Sequence, residues 1–304
     1  AKVLLLEAGK RSNLWTRIPI GFGRLIENPA ANWCYSAEPE ANTNGRRMPV
    51  PRGKLLGGSS AINGMIFVRG QALDYDTWAQ LGNRGWSYRE VLPFFQKMEN
   101  FDGGEEEYRG RSGPLKVTEI PEVEPLYQAI LDAGQQAGLP FNSDYNGASQ
   151  EGISISQTTI AKGRRQSTAH CYLEPAKTRT NLKIISEALA ERLLFEGSRC
   201  VGVSYLNKGT IHQARAGREV IVSAGSVKSP QLLELSGIGQ ASRLRNLGIE
   251  VVNDLAGVGE NLRDHYAPRM RWQVGVRGFT YNDKARGLGM VREAFKFFFK
   301  RTGL

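Results

Sequence analysis

The chain opens with "KVLLLEAG" (residues 2 to 9), four apolar residues in succession followed by a single acid. A continuous apolar run this short predicts a central strand of a parallel sheet, buried on both faces. Glu7 then stands at its carboxyl end, where α/β sheets bind ligands. From 11 to 50 the pattern breaks down into a stretch rich in Asn, Pro and Arg, longer than an ordinary connection. Helical spacing returns in "DYDTWAQLG", with Asp74 at its start, and in "SYREVLPFFQKMENF", where Ser87 and Glu90 form a capping box. "EVEPLYQAILDAGQQAGLP" predicts a third helix, stopped by Gly138 and Pro140. "LKIISEALAERLLFEGSRCVGVSYL" reads as three short strands, with a turn at "EGSR". "TIHQARAGREVIVSAG" adds two more, the last a buried run ending in Ala224-Gly225, and "SPQLLELSGIG" predicts a helix with a Ser-Pro start and a Gly stop. The order predicts an α/β nucleotide-binding domain interrupted by α+β insertions.

One stretch follows neither period. "PRGKLLGGSSAINGM" (51 to 65) places Gly57-Gly58 beside Ser59-Ser60, with a helix expected to begin near Ser60. Adjacent glycines give up side-chain volume and order, which is unfavourable unless something presses on the main chain. On composition alone this is either a tight chain crossing or a ligand-binding turn. Glu7 is similarly open: an acid ending such a strand accepts ribose hydroxyls in dinucleotide folds, but no G-x-G-x-x-G precedes it here.

Composition narrows the partners. The 304 residues are 40% hydrophobic and 23% charged, as in globular proteins, and no apolar run approaches a membrane span. The net charge of +10 is spread in ones and twos, such as Arg46-Arg47 and Arg164-Arg165, without a nucleic-acid motif. A solvated basic surface and no nucleic-acid partner are therefore expected. "EAFKFFFKRTGL" is broken by Lys296 and Lys300 and predicts an amphipathic helix that packs on something, with a membrane surface as the other reading. Cys34, Cys171 and Cys200 match no metal spacing and are expected to be reduced thiols. There is no Asn-x-Ser/Thr sequon.

Four segments in register, "LLLEAG" (4 to 9), "RGKLLGGSSAINGMIFVRG" (52 to 70), "SAGSVKSPQLLELSGIG" (223 to 239) and "GVGENLRDH" (257 to 265), resemble the signatures of the glucose-methanol-choline (GMC) oxidoreductase family. The resemblance covers essentially the whole chain. It implies a discontinuous FAD-binding domain of the glutathione-reductase type, over 1–113 and 161–268, with a partial substrate domain over 114–160 and 269–304. On that basis Glu7 accepts the adenosine ribose, and Gly57, Gly58, Ser59 and Ser60 meet the phosphate and ribitol. Asn63, Gly64, Met65 and Ile66 lie along the isoalloxazine. Ala190 offers a backbone group to the adenine, and Ala224 and Gly225 flank the adenosine. Trp33 and Arg46-Arg47 belong to a loop covering the cofactor.

Some family members bond the flavin to a histidine where this chain has Ala61-Ile62, so FAD is expected to be non-covalent. The resemblance puts the glycine fingerprint before Ala1 and the catalytic histidine beyond Leu304. The chain thus reads as an internal fragment without catalytic residues, expected to bind FAD poorly and to aggregate alone. His265, beside Asp264, is read as a structural hydrogen-bonding residue. The implied activity is FAD-dependent oxidation of an alcohol. "LGNRGWSY" looks more like the general primary-alcohol branch than the choline branch, with a choline dehydrogenase or a hydroxynitrile lyase as alternatives. A quinone or dye-like electron acceptor is expected rather than oxygen, and a place in the cytoplasm or at the inner membrane.

Overall fold

Val3–Glu7 forms the expected strand and pairs in parallel with Leu182–Ser186, Val3 opposite Leu182 and Glu7 opposite Ser186. This computed structural model describes residues 1–120, 123–265, 267, 271–276 and 278–300; the boundary expected at 268–269 and the end of the amphipathic stretch at 301–304 lie outside them. The strand is less buried than expected, with Val3 49% and Leu4 38% exposed, because Leu182–Ser186 is its only strand partner among the described residues.

The chain divides into two units. The first comprises Ala1–Ser12, Pro29–Gly58 and Thr178–Arg271. Besides the parallel pair it holds an antiparallel meander of Ala188–Glu196, Arg199–Asn207 and Thr210–Arg215. The "EGSR" turn sits between the first two, with Gly197 at φ +59°. The alternation of the meander buries Ala188, Leu193, Val201 and Tyr205, while Leu232 is buried from a helix at Gly225–Leu235. Ser236 joins strand to helix: its hydroxyl accepts the Leu193 amide at 2.8 Å and donates to the Leu232 carbonyl at 2.5 Å.

Two expectations fail in this unit. The run ending at Ala224 is not a strand: no partner lies alongside it among the described residues, and Ile221 is 77% exposed. The following helix does not start at Ser229-Pro230 but at Gly225, and Pro230 stands inside it. A proline there forfeits one helix hydrogen bond, which a helix of eleven residues tolerates.

The second unit comprises Asn13–Asn28, Ser59–Lys177 and Trp272–Leu304. The three predicted helices appear as Ala72–Gln80, Tyr88–Met98 and Pro125–Gln136. The capping box at Ser87 forms as expected, with the Ser87 amide and hydroxyl both donating to Glu90. Phe101, Leu115, Val117 and Cys171 make an apolar core, with Phe67 and Met98 against it. The amphipathic helix is Gly287–Lys300; it leaves Phe295 62%, Phe298 66% and Phe299 72% exposed.

Beside that apolar core lies a buried ionic network. Glu99 accepts from Arg69 at 2.6 Å and from Arg109 at 2.5 Å, and Arg109 also reaches Asp144 at 2.5 Å and the Gln157 side chain at 3.0 Å. Two acids thus balance two guanidiniums. Removing one partner leaves a buried cation unpaired, so Glu99→Gln is expected to destabilise the fold by about 3–5 kcal/mol. Urea unfolding of the full-length protein checks this; a midpoint equal to the parent's would remove the network from the account of stability.

Candidate functional site

In the first unit the site begins at the strand end. Glu7 Oε1 accepts the Gly9 amide at 2.7 Å, which folds the carboxylate back over the end of the strand. Desolvation raises the Glu7 carboxyl above its ordinary value, outweighing that hydrogen bond and the nearby Lys54 ammonium. A tight chain crossing does exist, but at Gly9: a Cβ there would stand 1.8 Å from the Lys54 carbonyl oxygen. Lys10 bridges Leu55 in parallel, and the Leu56 amide donates to the Lys10 carbonyl at 3.1 Å. Gly57 and Gly58 answer a different need, with φ of +93° and +53°. A Cβ on Gly58 would meet nothing within 4 Å, so conformation rather than crowding calls for glycine there.

Trp33 stacks on Tyr35 with centroids 5.8 Å apart, and the ammonium groups of Lys54 and Lys228 each lie 4.6 Å from the Trp33 centroid. Desolvation, then Lys54, lowers the Lys228 pKa. The buried Tyr35 hydroxyl has no hydrogen-bond partner, and desolvation pushes its pKa up to about 12. Ala190 pairs with Tyr205 and lies where the register with the neighbouring strand shifts before Arg192. Ala224 precedes the helix, and Gly225 opens it at φ +86°.

In the second unit the expected helix at Ser60 is only a single 3-10 turn, Gly58–Ala61, whose last residues belong to this unit. The Ile62 and Asn63 amides both donate to the Ser59 carbonyl, and the chain then turns sharply. Asn63 Oδ1 accepts the Met65 amide at 3.1 Å, and Met65 adopts φ +65°, a left-handed conformation that costs a residue with a Cβ about 1–2 kcal/mol. The Met65 carbonyl accepts from the Thr159 amide at 2.8 Å, Ile66 bridges Thr158, and the Phe67 amide donates to the Gln157 carbonyl. Ser60 Oγ accepts the Thr168 amide at 3.0 Å. Asn63, Gly64 and Ile66 are exposed, while Ala61, Ile62 and Met65 are buried. Ile66 and Val68 border a cleft of about 270 Å³ with Tyr145, Gln150, Ser154 and Ser156.

Arg165 secures this turn. Its Nη1 donates to the carbonyls of Ser60 and Asn63 and to Asn63 Oδ1, at 3.2, 2.8 and 2.8 Å. The residue is 1% exposed, which corrects the expectation that Arg164-Arg165 lies on a solvated surface. Its role was not legible in the sequence: an arginine pair in a polar loop carries no mark of burial. Lys228, in the fourth position of "GSVKSPQLL", was likewise missed.

The other candidates hold no site. His265 is exposed and its amide donates to Asp264, which pairs with Arg52; His212 stacks on Tyr205. Arg47 pairs with Glu38 in an exposed ion pair. The three cysteines are free, and no cluster among the described residues could hold a metal ion.

The fold is that of an α/β flavoprotein domain. The chain belongs to the GMC oxidoreductase family, whose N-terminal model matches residues 7–267. It is 48% identical to the oxygen-dependent choline dehydrogenase of Rhizobium johnstonii, over 86% of this chain and 48% of that protein. It is 44% identical to the mitochondrial choline dehydrogenase of Homo sapiens, over 99% of this chain and 52% of that one. Among solved structures, an FAD-dependent oxidoreductase from Chaetomium thermophilum matches with a TM-score of 0.90 at 28% identity, covering 100% of this chain and 55% of that one. Pyridoxine 4-oxidase from Mesorbium loti matches at 0.79 and 31%, covering 84% and 50%. The chain therefore spans about half the length of the curated relatives it matches.

FAD is the cofactor of this fold, and the residues present fit it. In the first unit Gly58 leaves open space where a side chain would stand and Glu7 offers a carboxylate at a strand end; taken by itself, the second unit holds a buried guanidinium, Arg165, with no acid partner among the described residues.

The raised pKa of Glu7 has a definite sign. The folded chain holds this proton more tightly than the unfolded one, so the contribution to stability is full below the ordinary carboxylate range, about 4.3, and is lost as pH rises through the folded value. Without cofactor, Glu7→Gln is expected to be more stable than the parent at neutral pH, the gap closing towards pH 4. Thermal midpoints from pH 4 to 8 check it; a gap independent of pH would mean the carboxyl is not desolvated.

Proposed function

We propose that the protein carrying this chain oxidises the CH–OH group of a small alcohol to an aldehyde with non-covalently held FAD, and that choline is its first candidate substrate. The observation that carries this reading is the 44–48% identity to choline dehydrogenases over 86–99% of the chain. It weighs against the general primary-alcohol branch that "LGNRGWSY" suggests. Ala61 and Ile62 stand where a covalent histidine would, and neither can form that bond.

When bound, FAD supplies a hydride acceptor at its flavin N5. The residues of this chain bind and orient it. In the first unit Glu7 takes the ribose hydroxyls, the Ala190 backbone meets the adenine, and Ala224 and Gly225 flank the adenosine. Gly57 and Gly58, and in the second unit Ser59 and Ser60, offer amides and hydroxyls to the phosphate and ribitol. Asn63, Gly64, Met65 and Ile66 lie along the isoalloxazine, where backbone amides favour the anionic reduced ring. We assign the taking of the alcohol proton to the family's histidine outside these 304 residues, and to none of the three histidines here. The functional domains are proposed as a FAD-binding part at 1–113 and 161–268 and a substrate part at 114–160 and 269–304.

No helix among the described residues is long and apolar enough to cross a membrane. The exposed phenylalanines of Gly287–Lys300 favour a peripheral membrane contact as the finer reading of location. A quinone or dye-like acceptor remains our proposal, although the Rhizobium relative is named oxygen-dependent.

Anaerobic visible spectra of the full-length protein test the activity. Yellow protein bleached by choline is the expected result; bleaching by other primary alcohols alone would move the substrate to that branch. Yellow protein that no alcohol bleaches would favour the hydroxynitrile lyase, and colourless protein would end the reading. Oxygen uptake with choline at rates matching dye reduction would overturn the acceptor.

A further inference from the structure

Arg165 combines three properties that rarely occur together. It is 1% exposed. Its Nη1 serves three acceptors in the Ser60–Asn63 turn, yet its Nε and Nη2 are buried without a hydrogen-bond partner. No carboxylate pairs with it among the described residues, whereas Arg69 and Arg109 in the same unit share Glu99. Desolvation alone lowers its pKa, to about 10, so the group remains a cation at neutral pH. An unpaired buried cation is expensive, and a packed apolar residue would serve stability better.

The turn that it holds is itself strained. Asn63 Oδ1 accepts from Arg165 and from the Met65 amide, so one oxygen links the guanidinium to the left-handed Met65. Releasing Arg165 leaves the Asn63 side chain held by the Met65 amide alone, which loosens the tether that sets the direction of the Met65 and Ile66 amides.

We propose that Arg165 is a positioning residue for the flavin: it fixes the Ser60–Met65 turn and leaves its positive charge uncompensated behind that turn, favouring the anionic reduced ring over the oxidised one. This rests on the proposed placement of Asn63 to Ile66 along the isoalloxazine. Two electrons and one proton, a hydride from the alcohol, convert neutral oxidised flavin to the anionic hydroquinone and add one negative charge. A nearby fixed cation stabilises the product of that change and not the reactant. Raising an acceptor's potential in this way makes hydride transfer more favourable without any contact between Arg165 and the alcohol.

The test uses the full-length holoenzyme and reads the flavin midpoint potential by equilibration with reference dyes, together with the affinity of sulfite for flavin N5. Arg165→Gln removes the charge, Arg165→Lys keeps it, and the double variant Arg165→Gln with Met65→Gly restores an unstrained turn without it. The expected result is a tenfold or greater loss in the reduction equilibrium for Arg165→Gln, about 30 mV for a two-electron couple. Sulfite should bind at least tenfold more weakly, and Arg165→Lys should stay within threefold of the parent on both measures. If Arg165→Gln retains no flavin, the double variant should retain it and show the same lowered potential. A parental potential in either neutral variant overturns the proposal. So does failure of both to fold, which would make Arg165 a purely structural residue. A colourless parent would instead defeat the flavin reading itself, a result distinct from a yellow parent whose potential ignores Arg165.

Discussion

A guanidinium buried with no acid to pair it among the described residues sets the terms for the Ser60–Met65 turn. Arg165 reaches back more than a hundred residues to Ser60 and Asn63, and through Asn63 Oδ1 it governs the conformation of Met65. The three acceptors belong to a segment with little regular structure: a single 3-10 turn, two amides on one Ser59 carbonyl, the Thr168 amide on Ser60 Oγ, and exposed Asn63 and Gly64. A short turn of this kind cannot hold a left-handed methionine by local propensity, since that conformation is penalised at every residue with a Cβ. The order therefore has to come from outside the turn. The strand contacts of Met65 to Phe67 with Gln157 to Thr159 anchor one end of it, and Arg165, a few residues further along the same excursion, anchors the other.

The second unit shows how the same protein treats buried charge when only structure is at stake. Arg69 and Arg109 are nearly as buried as Arg165, but Glu99 and Asp144 neutralise them and Gln157 and Asn146 extend the hydrogen bonding, although Arg69 Nε and Asp144 Oδ2 find no partner. Gln157 also links the two systems. Its side chain belongs to the neutral network, while its carbonyl accepts the Phe67 amide two residues beyond Met65. Rigidity thus passes from a charge-paired cluster into the turn, and Arg165, which touches the turn directly, is a buried arginine with no acid partner among the described residues. Coulomb's law gives a charge force over distance where the dielectric is low, so an unpaired cation placed there acts on whatever the turn faces.

Local grammar was legible in the sequence to the extent that local forces decide it. Helices with caps and breakers, the meander with its "EGSR" turn, and the strand ending at Glu7 all follow from side-chain periodicity and from residues whose backbone preferences are strong. The failures share a cause. A helix at Ser60, a strand before Ala224 and a Ser-Pro helix start were inferred from short windows, and each was decided by something non-local. Asn63 is claimed by Arg165 before a helix can extend, and the run before Ala224 has no ladder partner among the described residues. At the site, glycines and the acid were readable because they mark backbone needs. Arg165 was not, because burial of a charged residue depends on what folds over it from elsewhere in the chain.

Charge also bears on the proposed substrate. The chain carries a formal +10, and choline is a cation, which at first sight counts against it. Net charge acts through solvent, however, and at physiological ionic strength it is screened beyond about 8 Å. What a bound cation feels is the local arrangement. On the proposed reading, an anionic reduced ring would offset the guanidinium held behind the turn. A neutral alcohol gains nothing from that offset and meets the same turn regardless. On the proposed reading, the dependence on Arg165 would therefore differ between the two substrate classes: loss of its charge would leave the oxidised ring less electropositive, easing binding of a cation while weakening hydride acceptance. For choline the two effects oppose one another, in KM and in kcat respectively; for a neutral alcohol only the second remains.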